Sequence, residues 1–409
     1  MTASPSDPEA IRQTLPLAGL RVIDLATVVA GPFMATLLAD FGADVIKVEL
    51  PRRGDTLRTL GPVKEGTSYW FAADARNKRG ITLDLRTPHG RELLLKLVTV
   101  ADVLVENFVP GTLEGWGVGP EVLHAANPRL VIARVSGFGQ TGPNRHLPGY
   151  DRVGAAFGGL WHLTGAPDGE PQRPGLSVVD YMTGMLTTIG TLIALYTRDT
   201  GGSGRGQVID MALYEAVVRA LEFTATHYSA TGVVRNRVGN GGAAQPAGAF
   251  RTRDGRWVLL IAGETRMFQR LMHAVDRPDL ADDPRFATNA GRAAAQDLLH
   301  DAIRAWIAAR DLAVVMARLR EADVPAAAGY TIADLMVDPH VQARGDFVPV
   351  HDPELGELAM QGVMPRLSET PGAIYRPAPR LGEHNREVYA DLLGLSAAEI
   401  ASLSEAGVI

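Results

Sequence analysis

A chain of 409 residues with 46% hydrophobic and 21% charged residues is long enough for two domains and has the balance of an ordinary soluble globular protein. Lys and Arg number 40 against 46 Asp and Glu, a net charge of −6 with no dense basic stripe, which argues against nucleic acid as a partner. The absence of cysteine removes disulfides, thiolate nucleophiles and sulfur-ligated metals together, so catalysis has to use oxygen or nitrogen groups.

Residues 1–16 carry neither a basic n-region nor an apolar h-region and read as a disordered lead rather than a signal peptide, which points to the cytoplasm. From residue 17 strand-like and helix-like patterns alternate: Arg21 to Leu25 extended, Pro32 to Phe41 helical, Val45 to Glu49 and Ile81 to Leu85 extended, Pro88 to Ala101 helical. Val103 to Phe108 and Leu130 to Ser136 follow as strands, with a helix from Pro120 to Ala126 between them. Such alternation predicts an α/β fold with a large, Rossmann-like, doubly wound domain over 17–224. A strand at Gln207 to Asp210 leads into a long helix, Ala212 to Thr231. After a loop-like, glycine-bearing segment (235–249), a strand at Trp257 to Ala262 and helices at 265–276, 292–309 and 311–322 suggest a smaller α+β domain over 225–330. The tail, 331–409, is expected to return to the large domain, with short strands near 347–350 and 358–361 and a terminal helix.

Asp180 opens the chain's longest uncharged run, Tyr181 to Thr197, 17 residues. That run falls short of the ~18 or more apolar residues of a membrane span and reads as a buried core helix. Asp is a favoured helix N-cap. An Asp at a helix start, beside Thr183 and Gly184 and apolar walls, is also kept ionised by the dipole while poorly hydrated, and such a carboxylate can attack an activated acyl group. Both readings stand on the local sequence. Gly137-Phe138-Gly139-Gln140-Thr141-Gly142 fits G-x-G-x-x-G, but Pro148 and Gly149 would break the helix that a dinucleotide turn requires, so no nicotinamide or flavin cofactor is expected. The ten histidines show no metal-ligand spacing, and no serine sits in a G-x-S-x-G elbow. Lysines stand only at 47, 64, 78 and 96, which makes a Schiff base improbable.

An ordered set of short patterns spans nearly the whole chain. It opens with Leu17-Ala18-Gly19-Leu20-Arg21-Val22-Ile23-Asp24, Ala30-Gly31-Pro32, Gly42-Ala43-Asp44-Val45-Ile46-Lys47-Val48-Glu49 and Asn77-Lys78-Arg79. It continues through Leu83-Asp84-Leu85, Glu106-Asn107-Phe108, Gly137-Phe138-Gly139, Gly204-Arg205-Gly206-Gln207 and Asp282-Asp283-Pro284-Arg285-Phe286 to Leu381-Gly382-Glu383-His384. Together they resemble the class III CoA-transferase family, of the formyl-CoA transferase and carnitine CoA-transferase type.

The resemblance implies that fold as an interlocked homodimer, with no permanently bound cofactor and a coenzyme A thioester as substrate. It matches Asp180 to the catalytic aspartate, which forms an anhydride and then an aspartyl-CoA thioester. Val29, Ala30, Leu83, Arg86, Asn107 and Phe108 match CoA-binding positions. Leu50, Gly115 and Pro148 replace cations of the family, and Arg52, Arg53 and Arg58 stand as compensating charges. Tyr150 and Asp151 precede the catalytic segment, and Gly241 and Gly242 lie in a loop like the family's mobile glycine loop. In related 2-methylacyl-CoA racemases a histidine occupies the Tyr150 position. Tyrosine, with a pKa near ~10, is a poor base, which favours transfer over racemisation. A non-catalytic CoA-binding subunit is a further alternative. Succinyl-CoA as donor and malate or a similar C4 or C5 dicarboxylate as acceptor are the expected substrates, with no membrane partner.

Overall fold

The computed structural model describes residues 7–242 and 244–409. The chain divides into two compact units. The larger comprises the described residues up to Leu160 with Arg173–Thr231 and Ala343–Ile409; the smaller comprises Trp161–Gln172 and Gly232–Gln342. The expected boundaries at 225 and 330 thus fall at 232 and 342, and residues 161–172 group with the smaller unit.

In chain order the larger unit begins α1 (Pro8–Gln13), β1 (Arg21–Asp24), α2 (Ala30–Asp40), β2 (Asp44–Glu49), the short β3 (Val63–Lys64) and β4 (Thr67–Ser68), and α3 (Tyr69–Asp74). Next come β5 (Lys78–Thr82), α4 (Pro88–Thr99), β6 (Val103–Glu106), α5 (Thr112–Gly115), α6 (Pro120–Ala126), β7 (Val131–Ser136) and α7 (Asp151–Phe157), while α8 (Leu160–Leu163) groups, but for its first residue, with the smaller unit. The larger unit closes its first part with α9 (Val178–Thr200), β8 (Val208–Ala212), α10 (Leu213–Arg219) and α11 (Thr224–Thr231).

Six strands form one parallel sheet in the order β5-β2-β1-β6-β7-β8. This is a doubly wound α/β sheet whose strand order reverses between β1 and β6, the place where such sheets bind ligands outside the carboxyl ends of the strands. Strands β2 and β7 are buried at every position, as expected for a sheet covered on both faces. Val22, Val45, Val103 and Val131 point to one face and pack with Met34, Leu38 and Leu195. Ile23, Ile46, Leu104 and Ile132 point to the other and pack with Leu94, Leu97 and Leu123. The period of two in each strand sorts the side chains onto the two faces.

Three expectations need correction. The lead was expected to be disordered over 1–16. Residues 1–6 lie outside the described residues, but 8–13 form α1, because Asp7 caps its first turn and Arg12 donates to the carbonyls of Ala18 and Gly42 at 2.9 and 3.1 Å. The single helix expected over 212–231 breaks into α10 and α11 at Glu222, whose φ of +53° cannot continue a helix. The apolar helix opens at Val178 rather than Tyr181, and only one of its faces is core: Thr183, Gly184, Thr187, Thr191 and Ala194 are buried, whereas Met185, Ile189, Ile193 and Tyr196 are exposed. Among the described residues α9 alone has the length and apolarity of a membrane span, yet its inner face packs on α2. That packing is close because Gly184 has no side chain; a Cβ there would sit 2.9 Å from both the Ala30 carbonyl oxygen and the Phe33 ring.

The smaller unit builds an antiparallel sheet of β9 (Ala247–Arg251), β10 (Trp257–Ile261) and β11 (Ala326–Ala328). Phe250, Val258 and Leu260 pack from it on α12 (Thr265–Ala274), α15 (Gln296–Ala308) and α16 (Leu312–Glu321), with α13 (Pro278–Ala281) and α14 (Asn289–Ala294) between them. Helices α17 (Ile332–Val337) and α18 (Pro339–Arg344) lead out of it.

The final segment makes the hairpin of β12 (Phe347–Asp352) and β13 (Gly356–Gln361), a π-helical turn at Glu387–Leu392 and α19 (Ala397–Glu405). It is tied to β5 and the turn beyond: the His384 N–H donates to the Gly80 carbonyl at 2.9 Å, Tyr389 Oη to the Thr82 carbonyl at 2.6 Å, and the Asp84 N–H to the Val408 carbonyl at 2.8 Å.

Candidate active site

At the carboxyl ends of β1, β2, β5 and β6 the larger unit opens a cavity of about 270 Å³. Leu25 and Thr27 follow β1, Val48 to Leu50 close β2, Leu83 to Arg86 follow β5, and Phe108 follows β6, with Trp116 stacked edge-on to Phe108 at 5.2 Å. Arg53 and Arg86 supply the exposed cations of its wall, and the Arg86 guanidinium grips Asp84 at 2.7 and 2.8 Å. An apolar slot with cations at its rim suits an aromatic ring joined to phosphates.

The loop Ala26 to Val29 separates this cavity from α9. Val29 is buried with Leu57, Phe71 and Ala75, and Val28, Trp70 and Tyr181 pack on that cluster. Tyr181 donates to Asp74 Oδ2 at 2.9 Å, Trp70 Nε1 lies 2.8 Å from the same oxygen, and the Tyr181 ring meets Phe33 edge-on at 4.7 Å. Burial raises the pKa of Asp74.

Asp180 is the third residue of α9 and therefore not its cap. That task falls to Asp151, the first residue of α7, whose Oδ1 accepts the Val179 N–H at 2.8 Å and faces the Asp180 N–H at 3.4 Å. With the cap supplied from another helix, the Asp180 carboxylate makes no side-chain hydrogen bond to a described residue. Burial first, and then the negative charge of Asp151, push its pKa up to about 7. The helix dipole favours the anion here but does not outweigh these two effects. A half-buried carboxylate without partners, poised near neutrality, has the character of a nucleophile rather than of a structural cap.

Asp151→Asn separates the two causes. Asn keeps an oxygen for the Val179 N–H but removes the charge, so the Asp180 pKa falls. The acidic limb of kcat/KM, which follows ionisation of Asp180 in the free enzyme, then moves to lower pH by roughly 0.5–1 unit. A pH–rate profile with an unmoved limb would show that Asp151 does not act electrostatically.

The predicted binding residues divide by position. Leu83, Arg86, Phe108 and Arg53 line the cavity; Arg52, exposed at φ +63°, does not. Asn107 binds no open space: its Oδ1 accepts the Thr27 N–H at 2.8 Å and its Nδ2 donates to the Thr27 carbonyl at 2.7 Å. Val29 and Ala30 are buried at the start of α2. Arg58 is not among the cavity's lining residues: its side chain pairs with Glu49 at 2.7 and 2.8 Å and lies over the Phe71 ring, so it is no spare phosphate ligand. The Tyr150 side chain is exposed, at 67%. In the smaller unit Gly241 donates to the Val238 carbonyl at 3.1 Å and the Gly242 carbonyl accepts from Gln245 at 2.9 Å; Ala243 lies outside the described residues.

The G-x-G-x-x-G segment is a turn, with Gly137 pressed on the Gly149 backbone and the next helix only at Asp151. No helix opens at its third glycine. Among the described residues no three acidic or His side chains group as metal ligands.

The sequence reading missed the charges beneath the cavity. Lys47 Nζ lies 2.9 Å from Asp55 and 3.9 Å from Asp24, and Lys78 Nζ lies 2.9 Å from Asp24, all four side chains being almost fully buried. The signal was present for Lys47, which stands between Ile46 and Val48 inside a strand and buries only with partners.

The model of CoA-transferase family III matches residues 17–385. The succinyl-CoA–D-citramalate CoA-transferase of Chloroflexus aurantiacus is 45% identical over 97% of this chain and 99% of its own length. The succinyl-CoA–L-malate CoA-transferase beta subunit of the same organism is also 45% identical, over 97% and 98%. Among solved structures, a CAIB/BAIF family protein from Brucella suis superposes with a TM-score of 0.83 at 36% identity, covering 93% of this chain and all of that one. The resemblance read from the sequence therefore holds across both units, and the chain belongs to CoA-transferase family III.

Proposed function

We propose that the enzyme moves CoA from succinyl-CoA to a C4 or C5 dicarboxylate such as malate or citramalate, with Asp180 as nucleophile. The observation that carries this reading is the half-buried Asp180 carboxylate, unpartnered among the described residues and with its pKa at about 7, one loop away from a cavity at the sheet's switch point. The relatives named for succinyl-CoA, citramalate and malate supply the substrate class.

An Asp180 oxygen attacks the thioester carbon, the C–S bond breaks, and CoA leaves as thiolate from a mixed anhydride. The thiolate then attacks the Asp180 acyl carbon of that anhydride, releasing succinate and leaving an aspartyl-CoA thioester. The acceptor carboxylate attacks that thioester, giving a second anhydride and thiolate. Attack of the thiolate on the acceptor's acyl carbon yields the new acyl-CoA and restores Asp180. Thioester energy is conserved throughout, so no ATP is consumed.

In this reading the CoA nucleotide occupies the cavity, with Arg53 and Arg86 at its phosphates. The resemblance gives the glycine loop of Gly241 and Gly242 the task of excluding water that would hydrolyse either intermediate. Tyr150, at the mouth of α7, contacts substrate as a hydroxyl rather than as a base. The exposed apolar stripe of Met185, Ile189, Ile193 and Tyr196 is the face a second copy would cover in a soluble, cytoplasmic homodimer. Because two relatives are named as alpha and beta subunits, a paralogous partner chain is a second reading of the same stripe.

The decisive assay uses the purified single chain with succinyl-CoA and a panel of mono- and dicarboxylates, read by mass spectrometry of the acyl-CoA products. Transfer to C4 or C5 dicarboxylates is expected. Exchange of an α-proton in heavy water without any acceptor would identify a racemase instead, and activity only after adding a partner chain would favour the two-subunit reading.

A further inference from the structure

Seven described residues other than glycine have positive φ, and Val28, at +65°, is the one β-branched side chain among them. A β-branched residue in the left-handed region is strained, and it persists only where its surroundings hold it. Here three successive residues are held from three directions. Lys47 Nζ donates to the Ala26 carbonyl. Asn107 takes both the N–H and the carbonyl of Thr27. Asp55 takes the Val28 N–H on its two oxygens, at 3.0 and 3.2 Å.

Asp55 is itself fixed: it is 2% exposed, paired with Lys47 at 2.9 Å, and accepts the Leu57 N–H at 2.9 Å. Thr27 and Asp55 line the cavity on one side of the loop. On the other side Val28 and Val29 join the cluster containing Tyr181, the neighbour of Asp180, and Ala30 abuts Gly184 one turn along α9.

We infer that Asp55, with Lys47 and Asn107, is a latch that holds Val28 left-handed and so fixes the loop dividing the CoA cavity from the nucleophile. Asp55 is thus a positioning residue for the thioester and touches no reacting atom. The inference rests on the reading that CoA fills the cavity. Strain at such a wall sets its shape before the ligand arrives, so losing the latch costs affinity for acyl-CoA before it costs turnover.

The test is a double-mutant cycle on the full chain, with KM for succinyl-CoA and kcat measured separately. Asp55→Asn is expected to raise KM about tenfold or more while kcat changes less than about threefold. In a Val28→Gly background, where glycine adopts positive φ freely, the same change is expected to raise KM less than about threefold. If Asp55→Asn does not yield folded enzyme, Asn107→Ala replaces it in the cycle, removing the bonds to Thr27 without disturbing a buried charge. Equal KM effects in both backgrounds overturn the latch, because a merely structural loss is blind to residue 28. Arg53→Glu is the reference for the cavity itself. A KM that responds to Arg53→Glu but not to Asp55→Asn overturns the latch; a KM that responds to neither overturns the placement of CoA, and the latch's role with it.

Discussion

Asp180→Ala is expected to fold and to lose turnover by at least about a thousandfold, since it removes the atom that makes the covalent bond. Asp180→Asn should lose as much, because an amide is isosteric but far less nucleophilic. In each case the defect lies in kcat, as the carboxylate is one loop removed from the cavity and contributes little to nucleotide affinity. Intact-mass analysis adds a direct readout: the wild-type chain incubated with succinyl-CoA alone carries a CoA adduct, and both variants carry none. Stability supplies an independent sign. A carboxyl whose folded pKa is raised to about 7 by burial and Asp151 binds more protons folded than unfolded between about pH 4 and 7, so it withdraws stability as pH rises through that window. Asp180→Asn is therefore more stable than wild type above pH 7, by thermal melting, and the difference vanishes near pH 4. Retention of wild-type turnover by either variant would end the covalent mechanism.

The periodic parts of the sheet were legible because the relevant side chains are apolar and the turns are marked. The helix at Pro120 to Ala126 has a proline at its first position and ends where the structure places it, and β1, β2, β6 and β7 fall within two residues of their expected spans. Strand β5 was displaced by three residues, to Ile81 to Leu85, because its first half is Lys78-Arg79-Gly80. Burial of Lys78 depends on Asp24, 54 positions away, which no local pattern reports. Strand β9 was hidden for the opposite reason: Ala247-Gly248-Ala249 has no pattern of its own and is a strand only through pairing with β10. At the site, Asp180 was legible as an isolated carboxylate before an apolar run, but its exact station was not. Whether it caps α9 is decided by Asp151, which reaches that helix end from 28 residues upstream and leaves the Asp180 carboxylate without a backbone donor among the described residues. Arg58 was misjudged by the same limit, since its pairing with Glu49 and Phe71 is a product of the folded chain.

The largest stability loss should come from Lys78→Met, although Lys78 touches neither the cavity nor Asp180. Asp24 ends β1 with its side chain fully buried between two lysines, Lys78 at 2.9 Å and Lys47 at 3.9 Å. Burial lowers the pKa of Lys78; the attraction of Asp24 opposes this, and the charge of Lys47 adds to it. Lys47 is also buried, but Asp24, Asp55 and Glu49 together outweigh that cost and raise its pKa. Lys78 is therefore ion-paired with one carboxylate, Asp24, bonded to the Pro32 carbonyl at 2.7 Å and attracted more weakly by Asp74, and it is the nearer of the two cations that hold Asp24. Replacing it with Met strands Asp24 as a buried anion whose nearer partner is gone, at a cost of about 3–5 kcal/mol. Lys96→Met, on the exposed side of α4, should shift stability by no more than about 0.5 kcal/mol. Adding Asp24→Asn to Lys78→Met removes the stranded charge and should recover part of the loss, because the two side chains act as a pair. Urea unfolding of the four chains measures all these differences; Lys78→Met within about 1 kcal/mol of wild type would mean that the cluster beneath the site holds nothing together.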